Sequence, residues 1–226
     1  MPLGSTRGEL TVEFVGAALS AIPIAGGPLA AAANAFLSRR QNRRFSEFLL
    51  KLSEDMRAVE DRVNKEVFAS DDFPDIVEEL FSKATEAKRQ ERLDALRAVF
   101  INLVLSDVVS YDDAEELIAL VSELQERHII MLRILADPVR ADRELGNVVG
   151  SGGGMSTSFS QIFGKLLPRW TDEQIERTWA DLYERKLHKS GGTKAMMTDK
   201  GIHQLEGRLT PFGKRVVRVI INPVDR

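Results

Sequence analysis

The chain has 226 residues, no cysteine, three histidines, 31 basic against 34 acidic side chains and a hydrophobic share of 43%. That length holds one large domain or two small ones with a buried core. The even charge argues against disorder and against a uniformly basic nucleic-acid coat. Without cysteine there is no disulfide scaffold, no thiolate zinc site and no cysteine nucleophile.

Residues 1–8 are set aside, because Met1–Ser5 reads as a cloning remnant. No positively charged leader precedes the first apolar run, which argues against a secretory signal. From Phe14 to Ser38, 25 residues carry no charge, and Arg39, Arg40, Arg43 and Arg44 follow at once. About 20 apolar residues span a bilayer core, and a basic flank is what an inserted segment facing the cytoplasm shows. The centre of the run breaks that reading. Pro23 removes a helix donor, and Gly26-Gly27-Pro28 is turn chemistry. The favoured expectation for residues 9–38 is an alanine-rich helical hairpin with its corner at Pro23–Pro28. The alternative is a membrane-inserting hairpin, with Pro23, Gly26, Gly27, Pro28 and the four arginines close to the bilayer.

Downstream, Phe45, Phe48, Leu49, Leu52, Met56, Val59, Val63 and Val67 recur at spacings of three and four. No proline or glycine falls between Ala30 and Phe68, so one helix of roughly 40 residues is expected there, kinked or serving as a spine. Pro74 opens the next helix, which presents Phe73, Ile76, Val77, Leu80 and Phe81. Another starts near Lys88. A third follows Tyr111-Asp112-Asp113, where Asp112 and Glu115 have capping-box spacing, and it runs to about Ala136. On it, Glu123 and Arg127 are spaced as a surface ion pair. The expectation is a helical bundle over residues 9–136.

The bundle carries no visible chemistry. The Glu-x-x-His pairing of di-metal bundles is absent, and His128, between Arg127 and Ile129, reads as a structural or surface residue. Gly150-Ser151-Gly152-Gly153-Gly154 lacks the lysine and the preceding strand of a phosphate loop, so residues 137–154 read as a glycine-rich linker.

Residues 155–226 form the second expected domain, able to borrow the helix at 112–136. A short helix over 156–167 stops at Pro168. A longer one follows, with Thr171 and Gln174 at capping-box spacing and Ile175, Trp179, Leu182, Tyr183 and Leu187 along one face. Lys194–Thr198 and Gly207–Thr210 are candidate ribbon strands, and Pro211 opens a last helix. The pattern of Ile175, Leu182 and Leu187 followed by Arg208-Leu209-Thr210-Pro211-Phe212-Gly213 resembles the winged-helix domains of bacterial regulators over about 70 residues. The expected fold is therefore mainly α: a helical bundle followed by a winged-helix-like domain with a short β-ribbon.

From Met155 onward, 13 basic residues face 8 acidic ones, so the ribbon could contact phosphates. The turn that should approach base edges, however, reads Asp172-Glu173-Gln174-Ile175-Glu176, whose carboxylates would repel a phosphate backbone. Gln174, Arg177, Thr178, Lys194, Lys200 and Arg208 are the expected contact surface, for a protein partner ahead of nucleic acid. His188 and His203 are expected as surface polar residues.

An apolar hairpin, a helical body, Phe73-Pro74 opening a bundle helix, Glu123-Leu124 with Leu132, and a terminal Leu209-Thr210-Pro211-Phe212-Gly213-Lys214 together resemble the abortive-infection alpha-type helical proteins of bacteria, which are associated with phage defence. The glycine-rich linker and the Pro23–Pro28 corner fall outside the resemblance. It implies a non-enzymatic defence or toxicity role. The expectation is a cytoplasmic interaction protein without catalytic residues, metal or cofactor, which self-associates through its bundle and docks a macromolecule through its winged helix. The alternatives are a membrane-active effector acting through residues 14–38, peripheral at the inner membrane, and a DNA-binding regulator acting through its basic ribbon. No nucleophile elbow, zincin pair or dinucleotide fingerprint points to an enzyme.

Overall fold

Helix-spaced apolar residues dominate the sequence, and the protein is mainly helical. The computed structural model describes residues 33, 43–105, 111–149, 157–190, 192–194, 196–197, 201–205 and 207–224. The chain divides into two compact units, Met1–Glu123 with Asn222–Arg226, and Leu124–Ile221.

In the first unit, helix α1 (Arg43–Ala58) is followed by a 3-10 turn (Glu60–Arg62) and the short α2 (Lys65–Ala69). The single long helix expected here is thus broken. Its periodicity survives the break because a 3-10 turn still repeats every three residues. Tertiary bonding fixes the break: Asn64 donates its N–H to the Val104 carbonyl, 2.9 Å away, and its side chain caps α2 by accepting from Glu66 N at 3.0 Å. Helices α3 (Phe73–Glu86), α4 (Gln90–Val104) and α5 (Tyr111–Glu123) complete the bundle. Pro74 sits in the first turn of α3, as expected, where its missing donor costs nothing. Asp112 lies inside the first turn of α5 and does not precede it.

The core of this unit is aromatic. Phe81 meets Phe45 edge-on at 5.5 Å and Phe48 at 6.4 Å, while Phe73 packs against Phe68 at 4.8 Å and Phe100 at 6.2 Å. These rings knit α1 and α2 to α3, and α3 to α4. At its polar edge, Asp55 forms an ion pair with Arg97, whose Nε lies 2.6 Å away, and accepts a hydrogen bond from Asn222 Nδ2 at 2.7 Å.

The second unit opens with α6 (Glu126–Ala136). The helix expected to run through to Ala136 instead stops at Glu123, and a new one starts after Gln125, so Glu123 and Arg127 do not share a helix. Residues 138–144, expected as the start of a linker, form helix α7 (Pro138–Glu144), capped by the Asp137 carboxylate on Arg140 N at 2.9 Å. Buried Asp142 then accepts from Val149 N at 2.8 Å, while Gly146 and Asn147 take positive φ to turn the chain. Strand β1 (Thr157–Ser158), helix α8 (Phe159–Leu166), helix α9 (Asp172–Glu184), strand β2 (Met196–Met197), a 3-10 turn (Gly201–Leu205) and helix α10 (Pro211–Ile220) follow.

Pairing differs from the expected ribbon. Met196–Met197 pairs antiparallel with Thr157–Ser158, and Leu209 forms its bridge with His188. Helix α6 packs against α7, α9 and α10, and α8 packs on α9. Gly213 is required where α10 meets the chain leaving α9, because a Cβ there would collide with the Leu187 carbonyl.

Candidate functional site

The candidate surface is built on α9. Thr171 and Gln174 close a capping box: Gln174 N donates to Thr171 Oγ1 at 3.2 Å, and Thr171 N donates to Gln174 Oε1 at 2.9 Å. Ile175, Thr178, Trp179 and Leu182 are buried, so the apolar stripe turns inward. Asp172, Glu173, Gln174, Arg177 and Ala180 remain exposed. Two carboxylates therefore lead the outer face, where they also complement the helix dipole.

The residues expected to make contacts divide sharply. Arg177 is exposed and available. Gln174 is exposed, but its side-chain oxygen is committed to the cap. Thr178 is a correction: it is fully buried, and its hydroxyl donates to the Gln174 carbonyl at 2.7 Å, the bond a mid-helix threonine forms one turn back. Lys194 is exposed and pairs with Glu176 at 3.1 Å, so a cation meant for phosphate is partly answered by the same helix's carboxylate. Arg208 lies half-buried over the Phe159 ring at 5.1 Å. Lys200 lies outside the described residues, as do Pro23, Gly26, Gly27, Pro28, Arg39 and Arg40. Arg44 donates to the Lys88 carbonyl at 2.7 Å within the first unit, and Arg43 stands at the start of α1.

The inner face of α9 is held by groups that sequence reading placed elsewhere. His188 is buried, against the expectation of a surface residue, and its ring lies 3.9 Å from that of Trp179. Its Nε2 donates to the Trp179 carbonyl at 2.8 Å, its Nδ1 accepts from Ser190 N at 3.2 Å, and Trp179 Nε1 donates to the Ser190 carbonyl at 2.8 Å. His128 is also buried. Its Nδ1 accepts from Gln125 N at 3.1 Å, and its Nε2 faces Asp181 Oδ2 at 3.4 Å. Burial pushes both imidazoles below the ordinary histidine range. For His128, the neighbouring Asp181 partly opposes that shift. His203 is exposed, as expected.

One local signal for His128 was present in the sequence: it stands three residues after Gln125, the spacing of a residue that reaches back to cap its helix. Ser190, two residues on, is the one local partner of His188. Its burial rests on the Trp179 carbonyl nine residues back on α9 and on the bridge to Leu209, which nothing in the neighbouring sequence marks.

A second charged face belongs to α10, where Lys214, Arg215 and Arg218 are exposed and Arg215 lies over Phe212 at 5.3 Å. Among the described residues, no group of three or more His, Asp or Glu side chains could hold a metal ion, and no helix is long and apolar enough to cross a membrane. Comparison of the chain with protein-family models, with curated proteins and with solved structures found no match.

Proposed function

We propose that this protein is a non-enzymatic interaction module, whose second unit is a winged-helix-like domain that docks a protein through the outer face of α9. The winged-helix reading is supported by the order α6, β1, α8, α9, β2, α10 and by the short antiparallel pairing of β1 with β2. Protein is preferred to DNA on one observation. The helix that would approach base edges leads with exposed Asp172 and Glu173, while Gln174 is committed to its own cap and Thr178 is buried. A surface of this kind suits a basic peptide or a basic protein face. Self-association through the bundle belongs to the same proposal, and the resemblance to abortive-infection proteins would place it in phage defence.

The test is paired. Fluorescence anisotropy with a labelled duplex is run at 50 and 200 mM salt, since real phosphate contacts would make affinity fall by orders of magnitude across that range. The expected outcome is no such binding. Cross-linking in host extract is then compared between the wild-type chain and the Asp172→Lys, Glu173→Lys double variant, with a captured protein expected only for the wild type. Tight, steeply salt-dependent DNA binding that is lost in Lys194→Glu would overturn the reading in favour of a DNA-binding regulator.

A further inference from the structure

We propose that α9 is clamped by two imidazoles that must stay neutral, His128 from α6 and His188 from the chain leaving α9, and that protonating them frees the helix. The clamp would place the docking face of the preceding proposal under acid control, and it rests on that reading only for its biological use.

The tautomer of each ring is dictated by its partners. The Trp179 carbonyl can only accept, so His188 Nε2 carries the hydrogen. The Ser190 amide can only donate, so Nδ1 must offer its lone pair. In the same way, the Gln125 amide requires a bare Nδ1 on His128, which directs Nε2–H at Asp181. A proton can add only at Nδ1, where it sets N–H against the N–H of Gln125 or Ser190. The Nε2–H bonds to α9 survive the proton itself, but each ring is driven from the seat that aims it at the helix. At 2% and 3% exposure, His188 and His128 are shielded from bulk solvent, so the clash is costly to leave in place. The two rings grip α9 at nearly one level, one on the backbone of Trp179 and the other on the side chain of Asp181.

The charges around His128 pull both ways. Asp181 on α9 favours the imidazolium. Arg185 at the end of α9 and Arg127 beside the ring oppose it, and desolvation outweighs them all. Helices α7 and α10, also packed on α6, add none of these influences. The titratable and charged groups near His188 are Tyr183, with ring centroids 5.7 Å apart, Lys189 next in the chain, and Arg208, whose Nη1 is 3.5 Å from Ser190 Oγ. Helix α8 meets this corner with Phe159, which stacks on Trp179, and the cap residue before α10, Thr210, donates its N–H to the Leu187 carbonyl.

Amide hydrogen exchange on the full chain at pH 7.5 and 5.5, with rates corrected for the intrinsic pH dependence of exchange, reads the clamp directly. Peptides covering Asp172–Glu184 should lose protection by up to about tenfold per ring between the two pH values, because a neutral buried ring forgoes a proton that the opened chain binds. Peptides of α3 should keep theirs. The His128→Gln variant retains a side chain able to cap Gln125 but cannot take up a proton, so it should lose one ring's share of the effect. Where His188→Gln fails to fold, NMR titration of the wild-type ring protons decides: both rings must titrate below 6.5. Equal loss in α3 and α9, no loss in α9, or rings titrating at or above 6.5 would overturn the clamp. No partner is used, so failure here leaves the docking reading standing, and failure of docking leaves the clamp standing.

Discussion

The two units solve the same problem by different means. The bundle is held by apolar rings that interlock, from Phe45 and Phe48 against Phe81 to Phe73 against Phe100, and neither α3 nor α4 starts with a side-chain cap. The second unit is held by punctuation. Asp137, Ser158, Thr171 and Thr210 each cap a helix, and His128 reaches back to cap α6. Thr210 alone makes four bonds: its N–H goes to the Leu187 carbonyl at 3.1 Å, its hydroxyl to the Lys186 carbonyl at 2.6 Å, its hydroxyl oxygen receives Gly213 N at 2.9 Å, and its carbonyl receives Lys214 N at 2.9 Å. Apolar packing is indifferent to pH, whereas a lone pair that must stay bare is not. All three histidines lie in the second unit, so conditional stability is confined there.

The comparison can be broken most forcefully at its two aromatic centres. Phe81→Ala and Trp179→Ala should each cost about 3–5 kcal/mol in urea unfolding. Both tryptophans belong to the second unit, so fluorescence there and circular dichroism over the whole chain should separate the two losses in the Phe81 variant. Equal losses in both signals would mean that the units do not unfold separately. Gly213→Ala should cost the second unit about 3 kcal/mol, since the new methyl meets backbone that cannot rotate away.

Acid sharpens the contrast. Both buried imidazoles have lowered pKa values, so the unfolded chain binds the extra protons. The stability they confer is complete above about pH 6.5 and falls below it, by at most about 1.4 kcal/mol per ring per pH unit, until each folded-state value is passed. The fluorescence-detected urea midpoint should therefore drop between pH 7 and 5.5. The bundle, which has no histidine, should hold nearly level over the same range.

The smallest effect is expected at Lys186, which closes α9 in the left-handed region at φ 60, with Leu187 N bonded to the Leu182 carbonyl at 3.0 Å and Lys186 N to the Tyr183 carbonyl at 2.8 Å. Lys186→Gly should relieve that strain and stabilise by about 0.5 kcal/mol, because the lost cation–π contact with Tyr183 offsets part of the gain. A thermal midpoint that falls would show that the contact outweighs the strain.

Features written in neighbouring residues were legible in the sequence. The Thr171–Gln174 box, Pro74 and Pro211 in first turns, and the helical faces of α3 and α9 depend on spacings of three or four residues, which a chain carries on its surface. What a distant partner decides was not legible. The break after α1 depends on Asn64 finding Val104. The burial of His188 depends on Trp179 and Leu209, and His128 finds Asp181 only once α6 and α9 are packed. Thr178 misled for a simpler reason: its hydroxyl looks available in the sequence, yet the carbonyl one turn back satisfies it inside the core. For the candidate surface, residue types were readable, while their commitments to caps and ion pairs were not.

The bond from Asn222 to Asp55 has one more consequence. The chain leaves the first unit at Glu123 and is part of it again at Asn222, so the second unit is an insertion with both ends fastened. If acid opens it, the released segment is a closed loop of about 100 residues, and a chain already closed has far less entropy to surrender on refolding. Opening should then be quickly reversible for as long as the first unit stays folded, much as a spring-loaded hinge returns once the load is lifted.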